Sequence, residues 1–148
     1  MTAADRPGLR RFLLWSPVAI QMALIFYFSH QPSRSPVLDW FPLPFSLGHF
    51  LGYALLGALL YRAFAGGLSF SWNAAAAGRS LLISLLYAFS DEFHQLFVPG
   101  RDASFLDILL DGAGAAAFLL FYWLVLSLRS RRRSRREGPP EPDAADLG

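Results

Sequence analysis

The sequence contains no cysteine and no lysine, and it is poor in charged residues of either sign. Without cysteine the chain can form no disulfide, no thiolate metal site and no cysteine nucleophile. Charged residues make up 16% of the 148 residues, whereas soluble domains carry about 25%. Hydrophobic residues make up 54% of the chain. The composition therefore argues against a soluble domain and predicts a membrane protein.

Four windows of the chain are long and apolar enough to cross a membrane, for which about 20 mostly apolar residues are needed. They run over residues 11–29, 46–64, 79–97 and 104–127. We therefore predict an all-α, polytopic membrane protein with four transmembrane helices in residues 11–128, preceded by an N-terminal segment of residues 1–10. In the first window, Pro17 falls in the opening turns, where its missing backbone N–H matters least.

The first window has an alternative interpretation as a cleaved signal peptide, with Arg10 and Arg11 as its basic flank. Two features oppose this interpretation. The apolar stretch is long, and the residues after it, His30 to Pro32, do not have the small-x-small pattern of a cleavage site. We therefore interpret this window as the first span.

The distribution of arginine predicts the orientation, because cytoplasmic loops carry an excess of basic residues. Arg34 and Arg101 lie on one side of the predicted bundle. The opposite side carries Arg6, Arg10, Arg11, Arg62, Arg79 and the six arginines between residues 129 and 136. Both termini are therefore predicted to be cytoplasmic, and residues 30–45 and 98–103 are predicted to face outward.

The tail of residues 129–148 is basic at first and then acidic and rich in proline. An arginine run that directly follows an apolar helix, here from Arg129 to Arg136, is typical of a contact with anionic lipid headgroups rather than with nucleic acid. The part from Glu137 to Gly148 is predicted to be disordered because it is polar and rich in proline.

The polar residues of the predicted spans gather at the outer end of the bundle. This end carries all three histidines, several acids and several amides or hydroxyls: Ser29, His30, Gln31, His49, Asp91, Glu92, His94, Gln95, Arg101, Asp102, Asp107 and Asp111. From the helical rise, Asp91 lies about 9 Å and Asp111 about 10 Å below the outer surface. Two carboxylates from different helices are therefore predicted to reach the same depth.

Helical spacing predicts which side chains share a face. In the third span, steps of three and four residues place on one stripe Ser80, Ser84, Tyr87, Asp91, His94 and Gln95. Glu92 lies about 100° from Asp91 around the helix and has to face a different neighbour. The second span has a GxxxG pair, Gly48 and Gly52. The fourth span has a face of acids and of small residues that permit another helix to approach closely: Asp107, Asp111, Gly114 and Ala115.

Ionisable groups in a bilayer cost about 2.5–3.5 kcal/mol each on insertion scales, and they are tolerated when they are paired or line a wet cavity. The available counter-charges are His49, His94 and Arg101. We therefore predict an outward-facing polar pocket among the second, third and fourth spans, with Arg101 folded over it from the turn. Its predicted binding residues are His49, Tyr53, Tyr87, Asp91, Glu92, His94, Gln95, Arg101, Asp107 and Asp111.

The cluster is compatible with several kinds of chemistry, and whether the protein is an enzyme stays open. One alternative is a structural network of Asp–His and Asp–Arg bonds that fixes helix packing. Asp91, Glu92 and His94 are candidates for acid–base catalysis, although no nucleophile stands out, and Arg101 can hold a phosphate or carboxylate. We predict no cofactor, and the absence of an HExxH motif makes the signal for zinc weak. A divalent metal stays open as an alternative, with the candidate ligands His49, His94, Asp91 and Asp111.

Residues 87–114 read YAFSDEFHQLFVPGRDASFLDILLDGAG. This segment has an Asp-Glu-x-x-Gln block that includes a histidine, then Pro-Gly-Arg, and then polar residues before a glycine. It resembles the signature of the VanZ-like family of membrane proteins, as do the stretches SHQP at 29–32 and HFLGY at 49–53. The resemblance covers about residues 12–127. In this family a lysine often stands at the position of Ser46 and an asparagine at the position of Asp111, so the pocket of this chain is the more acidic.

The resemblance implies a multi-pass protein of the bacterial cytoplasmic membrane, and the family's namesake is linked to resistance to the glycopeptide antibiotic teicoplanin. Our leading hypothesis is a protein whose outward pocket binds a cell-envelope component or a lipid headgroup, or whose role is related to glycopeptide resistance. One alternative is a membrane-embedded enzyme that acts on lipid-linked envelope substrates. Another is a small transporter, although transporters usually show inverted repeats and a binding site near the midplane.

Overall fold

The structure is a computed structural model, and it describes residues 7–33, 35–36, 44–69 and 71–137. The described residues form four helices joined by turns: α1 (Pro7–Ser29), α2 (Phe45–Phe64), α3 (Ala74–Gln95) and α4 (Phe105–Glu137). The prediction of an all-α fold is therefore confirmed. The predicted disorder of residues 138–148 and the side chain of Arg34 lie outside the described residues.

Three of these helices are long and apolar enough to cross a membrane: α1, α2 and the Phe105–Arg133 part of α4. The helix α3 has 22 residues and therefore sufficient length, at about 1.5 Å per residue. Its polar stripe and its charged residues make it less apolar than the other three. By length and composition, three helices are thus able to cross a membrane, and α3 is the polar member of the bundle.

Local signals in the sequence explain where the helices begin. Asn73 caps α3, because its side-chain oxygen accepts a hydrogen bond of 2.9 Å from the Ala76 N–H. This cap starts α3 five residues before the predicted window, which began at Arg79. Ser104 has the same role for α4, since its Oγ accepts the Leu106 N–H at 3.2 Å. Gly66 has a φ of 72° in the turn before α3, a conformation that glycine adopts without strain.

The helix α4 continues through the arginine run to Glu137, beyond the predicted end of the fourth window at Ser127. Arginine is a good helix former, so the basic run extends the helix rather than ending it. The boundary predicted between a membrane domain and a tail at residue 129 therefore falls inside one continuous helix. The side chains of Arg129, Arg131 and Arg132 are exposed on this extension.

Pro17 lies inside α1, because the helix begins at Pro7 rather than at Arg11. The expectation that Pro17 falls in the opening turns was wrong. A proline in a helix interior leaves the carbonyl four residues earlier without its usual N–H partner, and that carbonyl belongs to Leu13. The Arg62 side chain of α2 donates to the Leu13 carbonyl oxygen through Nη1 at 3.3 Å. Arg62 therefore compensates for the proline as well as carrying charge at this end of the bundle.

The helix α2 is the central element, since it packs against α1, α3 and α4. Its contact with α4 is close because both helices present small residues. A Cβ added to Gly57 would lie 3.0 Å from the Ala115 Cα. A Cβ added to Gly114 would collide with the backbone carbonyl oxygen of Phe50. The predicted close approach of another helix to the small residues of the fourth span is confirmed.

The buried apolar residues lie along α2 and extend to its three neighbours. One core cluster contains Val18, Ile25, Tyr53, Leu56, Leu60, Ala63 and Ala88, and a second contains Tyr61, Ala76, Ala77 and Leu119. At one end of the bundle, Arg10 donates to the Gly66 carbonyl and the Tyr122 hydroxyl donates to the Ser69 carbonyl at 2.6 Å. The opposite end is formed by the end of α1, the start of α2, the end of α3 and the start of α4, and it holds the polar residues.

We expect Gly114→Ala to lower the free energy of unfolding by about 1–3 kcal/mol, the usual effect of overpacking. The added methyl group meets the Phe50 backbone carbonyl, which cannot rotate away. Gly78→Ala is the matched control, because no atom lies within 4 Å of the Cβ position there. The measurement is unfolding by denaturant in detergent micelles. Equal stability of Gly114→Ala and the unchanged chain would contradict the close contact of α2 with α4.

Candidate functional site

Asp91 of α3 is held by one partner from α1 and one from its own helix. It is 3% exposed. Its Oδ2 accepts a hydrogen bond of 2.6 Å from the Ser29 hydroxyl at the end of α1. The same oxygen accepts the Gln95 side-chain amide at 3.4 Å from one turn further along α3. The other oxygen, Oδ1, is buried and has no hydrogen-bond partner. One half of this carboxylate is thus fixed and the other half is unsatisfied.

Asp111 of α4 forms a buried pair with His49 of α2. The His49 Nδ1 lies 3.3 Å from the Asp111 Oδ2. Asp111 is fully buried and His49 is 9% exposed. The Asp111 Oδ1 is buried without a hydrogen-bond partner, as Asp91 Oδ1 is. Two carboxylates from different helices therefore each keep one free oxygen in the interior of the bundle.

Glu92 faces the start of α4, although it shares the partner Gln95 with Asp91. Its Oε2 accepts the Ser104 backbone N–H at 2.8 Å, and its Oε1 accepts the Gln95 side-chain amide at 3.3 Å. The prediction that Glu92 has a different neighbour is confirmed. Negative charge is favourable at a helix N-terminus. Glu92, together with the half-buried Asp107 in the first turn of α4, therefore stabilises the start of that helix.

Arg101 lies against the end of α1 rather than over the acids of α3 and α4. Its Nε donates to the Gln31 carbonyl at 3.1 Å and its Nη2 to the Phe28 carbonyl at 3.5 Å. The guanidinium carbon lies 3.7 Å from the centre of the Phe45 ring, a cation–π contact. Burial lowers the pKa of Arg101, and the nearby Asp91 and Glu92 act in the opposite direction. The group stays charged, since arginine is not deprotonated in proteins.

A cavity of about 510 Å³ lies between α1 and α2, with Arg101 at its edge. The pocket was expected among the second, third and fourth spans. The cavity instead lies between the first and the second helix. The described residues that line the cavity are Gln21, Leu24, Ile25, Phe28, Ser33, Pro44, Phe45, Gly48, His49, Gly52 and Arg101. The GxxxG pair of α2, Gly48 and Gly52, forms part of this wall. Gly48 has no atom within 4 Å of its Cβ position, so this glycine keeps space open instead of packing against a helix.

The remaining predicted residues lie around this core. The Tyr87 hydroxyl donates to the Met22 carbonyl of α1 at 2.7 Å. Tyr53 is fully buried, its hydroxyl has no partner, and its ring centre lies 6.2 Å from that of His49. His94 is not part of the buried group. Its Nε2 lies 3.1 Å from the Nδ1 of His30 in a pair at the bundle surface.

The first helix contributes more to the site than sequence reasoning assigned to it. Ser29 was placed at the outer end but not among the binding residues, yet it is the closest partner of Asp91. The pattern of polar residues at the outer end does not include Gln21, whose side-chain amide donates to the Gly52 carbonyl at 3.0 Å. A signal for Ser29 was present, because it begins the SHQP stretch that matches the family. The sequence has no comparable signal for Gln21 beyond a polar residue inside an apolar span.

Three side chains of the site are placed to hold a metal ion. His49, Asp91 and Asp111 each offer one ligand atom, and these atoms lie within 4.8 Å of one another. Imidazole and carboxylate together form a ligand set that suits divalent transition metals. The fourth predicted candidate ligand, His94, lies in the surface pair with His30.

The fold and the site together define a small multi-pass helical membrane protein with a buried polar cluster at one end of its bundle. The family model described as VanZ/LLP1 matches residues 13–126. The chain therefore belongs to the VanZ/LLP1 family, as the resemblance in residues 87–114 predicted. No curated protein and no solved structure matches the chain significantly.

We expect Ser29→Ala to cost more stability than Ser80→Ala, although both remove one buried hydroxyl. Ser29 donates to a carboxylate, and hydrogen bonds to charged groups contribute about 1.5–3 kcal/mol. Ser80 donates to the Gly57 carbonyl at 2.7 Å, a neutral bond worth about 0.5–1.5 kcal/mol. Unfolding of both variants in the same detergent measures the difference. Equal effects would contradict an ionised Asp91 as the acceptor on which this expectation depends.

Proposed function

We propose that this protein is a four-span protein of the bacterial cytoplasmic membrane that binds an anionic amphiphile of the cell envelope at its outer face. The ligand class is a lipid or lipid-linked molecule with a phosphate or carboxylate headgroup. The observation that carries the proposal is an apolar cavity between α1 and α2 with one guanidinium, that of Arg101, at its edge.

The proposal treats α3 as the fourth span. A helix of 22 residues is about 33 Å long at 1.5 Å per residue, which matches a hydrocarbon core of about 30 Å. Its contacts with the other helices extend over this length: Ser80 bonds Gly57 of α2, Tyr87 bonds Met22 of α1 and Asp91 bonds Ser29. A helix that lies beside the spans along its length crosses the same membrane. Its polar side chains are tolerated because they face protein.

The proposed orientation places Arg101 and the acids at the outer face. The opposite end of the bundle has Arg10, Arg62 and Arg79, and the exposed arginines on the extension of α4 lie beyond it. An excess of basic residues marks the cytoplasmic side. The arginines from Arg129 onward are then placed to contact anionic lipid headgroups of the cytoplasmic leaflet.

The cavity has the properties of an amphiphile site. Its volume of about 510 Å³ lies within the range of about 300–1,000 Å³ that small-molecule sites occupy. Leu24, Ile25, Phe28 and Phe45 supply apolar lining for hydrocarbon. Such a wall, at the level where α1 and α2 leave the membrane, is accessible to the tail of a lipid that stays in the bilayer.

Arg101 provides the polar recognition. Two of its five N–H groups are used on the carbonyls of Phe28 and Gln31, which fix the guanidinium plane. Arginine has five donors in a planar fork that fits phosphate and carboxylate. The donors that remain, on Nη1 and on the second hydrogen of Nη2, are available to one anionic headgroup. A guanidinium already held by α1 and by Phe45 loses little further freedom on binding.

A second candidate function, an enzyme that acts on a lipid-linked substrate, is favoured by one observation. His49 lines the cavity and also contacts the buried Asp111, so an ionisable pair adjoins the proposed ligand. A transporter is not favoured by any arrangement of the described residues, because the buried ionisable groups lie at one end of the bundle rather than near its midplane.

The topology can be tested by single cysteines, because the natural chain has none. Leu68 is 59% exposed in the turn between α2 and α3, and Asp102 is exposed in the turn between α3 and α4. We expect a membrane-impermeant maleimide to label Asp102→Cys in intact cells, and to label Leu68→Cys only after the cells are permeabilised. Labelling of both positions from the outside would contradict α3 as a span. The reverse pattern would invert the orientation.

Ligand binding can be tested by filling the cavity and by removing its charge. We expect Gly48→Leu to block the cavity sterically, since space surrounds that position. We expect Arg101→Gln to weaken binding of phosphatidylglycerol at least about tenfold, by loss of a charge-assisted contact of roughly 1.5–3 kcal/mol, and Arg101→Lys to retain part of it. The measurement is native mass spectrometry of delipidated protein titrated with phosphatidylglycerol or phosphatidylcholine.

Gly78→Leu and Arg79→Gln are the matched controls, because both positions are exposed at the opposite end of the bundle and should leave binding unchanged. Equal affinity for the anionic and the zwitterionic lipid would contradict the proposed headgroup contact. Unchanged lipid adducts in both Gly48→Leu and Arg101→Gln would remove the cavity as the site.

A role in glycopeptide resistance remains a separate part of the proposal. An outer-face site for envelope lipids is compatible with it, since glycopeptides act at the envelope. Expression of the chain in a teicoplanin-susceptible host, beside the Gly48→Leu variant, tests whether susceptibility depends on the cavity.

A further inference from the structure

Three ionisable side chains from three different helices converge in the interior of the bundle. His49 comes from α2, Asp91 from α3 and Asp111 from α4, and their ligand atoms lie within 4.8 Å of one another. The two aspartates are 3% and 0% exposed. Because they belong to separate helices, their proximity depends on the tertiary fold and not on local sequence.

The two carboxylates are incompletely satisfied. Asp91 Oδ1 and Asp111 Oδ1 are buried and have no hydrogen-bond partner. An ionised carboxylate only accepts hydrogen bonds, so neither oxygen can be satisfied by the other. Buried charges in proteins are paired or coordinate metals. The interior at this place therefore has two buried carboxyl oxygens that no described group satisfies.

We propose that His49, Asp91 and Asp111 form a binding site for one divalent transition-metal ion, of the Zn²⁺ or Mn²⁺ type. Two carboxylates and a neutral imidazole carry two negative charges, which one divalent cation balances. The mixture of one nitrogen and two oxygen donors suits Zn²⁺ and Mn²⁺ better than it suits metals that prefer sulfur. The inference is independent of the proposed amphiphile site.

The surroundings of the ligands fit this assignment. Ser29 and Gln95 both donate to the Asp91 Oδ2, which holds the carboxylate and leaves Oδ1 as the ligand oxygen. Hydrogen bonds of this kind orient metal ligands and are part of metal sites. Two ligand atoms of a tetrahedral Zn²⁺ site lie about 3.4 Å apart, given bond lengths of about 2.1 Å. Ligand atoms that lie within 4.8 Å of one another therefore have to approach by up to about 1.4 Å to bind an ion.

The site has an entry path and an open coordination position. His49 lies at the wall of the cavity between α1 and α2. Its side chain is the most exposed of the three ligands. Metal sites with three protein ligands keep a position for water or substrate. This open coordination position can face the cavity on the side where His49 forms the wall.

The test is metal titration of the full chain in detergent, without added lipid and without a polyhistidine tag, because a tag binds the same ions. We expect the protein, stripped with chelator, to take up one Zn²⁺ or Mn²⁺ per chain by elemental analysis. We also expect its thermal unfolding temperature to rise with metal concentration, since an ion that binds the folded state stabilises it. Absence of uptake by the unchanged chain at 100-fold molar excess of either ion overturns the proposal.

Variants locate the ion. We expect Asp91→Asn and Asp111→Asn each to reduce affinity at least 100-fold and His49→Gln to do the same. His94→Gln is the control, since that imidazole lies in the surface pair with His30 and should leave uptake unchanged. Uptake that is lost in His94→Gln and kept in Asp91→Asn places the ion at the surface pair and overturns the proposal.

If the aspartate and His49 variants fail to accumulate, a second comparison still decides the proposal. In that case the unchanged chain and His94→Gln are titrated with Co²⁺, whose visible absorption reports nitrogen and oxygen ligands in a distorted site. A spectrum shared by both proteins supports the buried site, and a spectrum absent from His94→Gln overturns it. Lipid is absent from all these experiments. Failure of the metal-site proposal therefore does not affect the proposed amphiphile cavity, and failure of the amphiphile proposal does not affect the metal site.

Discussion

Burial of Asp91 and Asp111 between helices is the constraint on which the arrangement of this bundle depends. A carboxylate in a low-dielectric interior is tolerated only with partners, and each of these two has a partner on another helix. Ser29 connects Asp91 to α1, and His49 connects Asp111 to α2. Because the donors come from separate spans, the acids can be satisfied only where all four helix ends meet. The polar end of the bundle therefore specifies which helices are neighbours.

The small residues of α2 and α4 make this meeting possible. His49 reaches Asp111 because the two helices approach so closely that Gly57 lies against Ala115 and Gly114 against the Phe50 carbonyl. Lipid is as apolar as a leucine side chain, so close van der Waals packing and interhelical hydrogen bonds have to provide association in a membrane. The apolar contact and the polar contact of this helix pair thus depend on each other. A larger residue at either glycine separates the ionisable pair as well as the backbones.

The limits of sequence reasoning follow from the same geometry. Helical periodicity predicted the polar stripe of α3 and the separate direction of Glu92, because both are properties of one helix. It did not predict that Arg101 contacts α1 or that Arg62 donates to the carbonyl freed by Pro17, since these depend on which helices are neighbours. Charge pairing suggested that Arg101 covers the acids. The carbonyls at the end of α1 compete for the same guanidinium, and in the structure the carbonyls of Phe28 and Gln31 are its acceptors.

The unsatisfied oxygens argue that the cluster does more than fix packing. A polar network that is fully satisfied rigidifies a core, whereas one that is partly satisfied weakens it. The second case applies here, because Asp91 Oδ1, Asp111 Oδ1 and the Tyr53 hydroxyl are buried without partners. Replacing either acid by an apolar residue of similar size would remove that penalty, so helix packing alone does not account for both. The free oxygens also lie beside His49, the residue that the cluster shares with the cavity. The cluster thus has a fixed arrangement with unpartnered oxygens, and it adjoins a cavity. This arrangement is expected where a bound ligand or ion provides the partner that those oxygens lack.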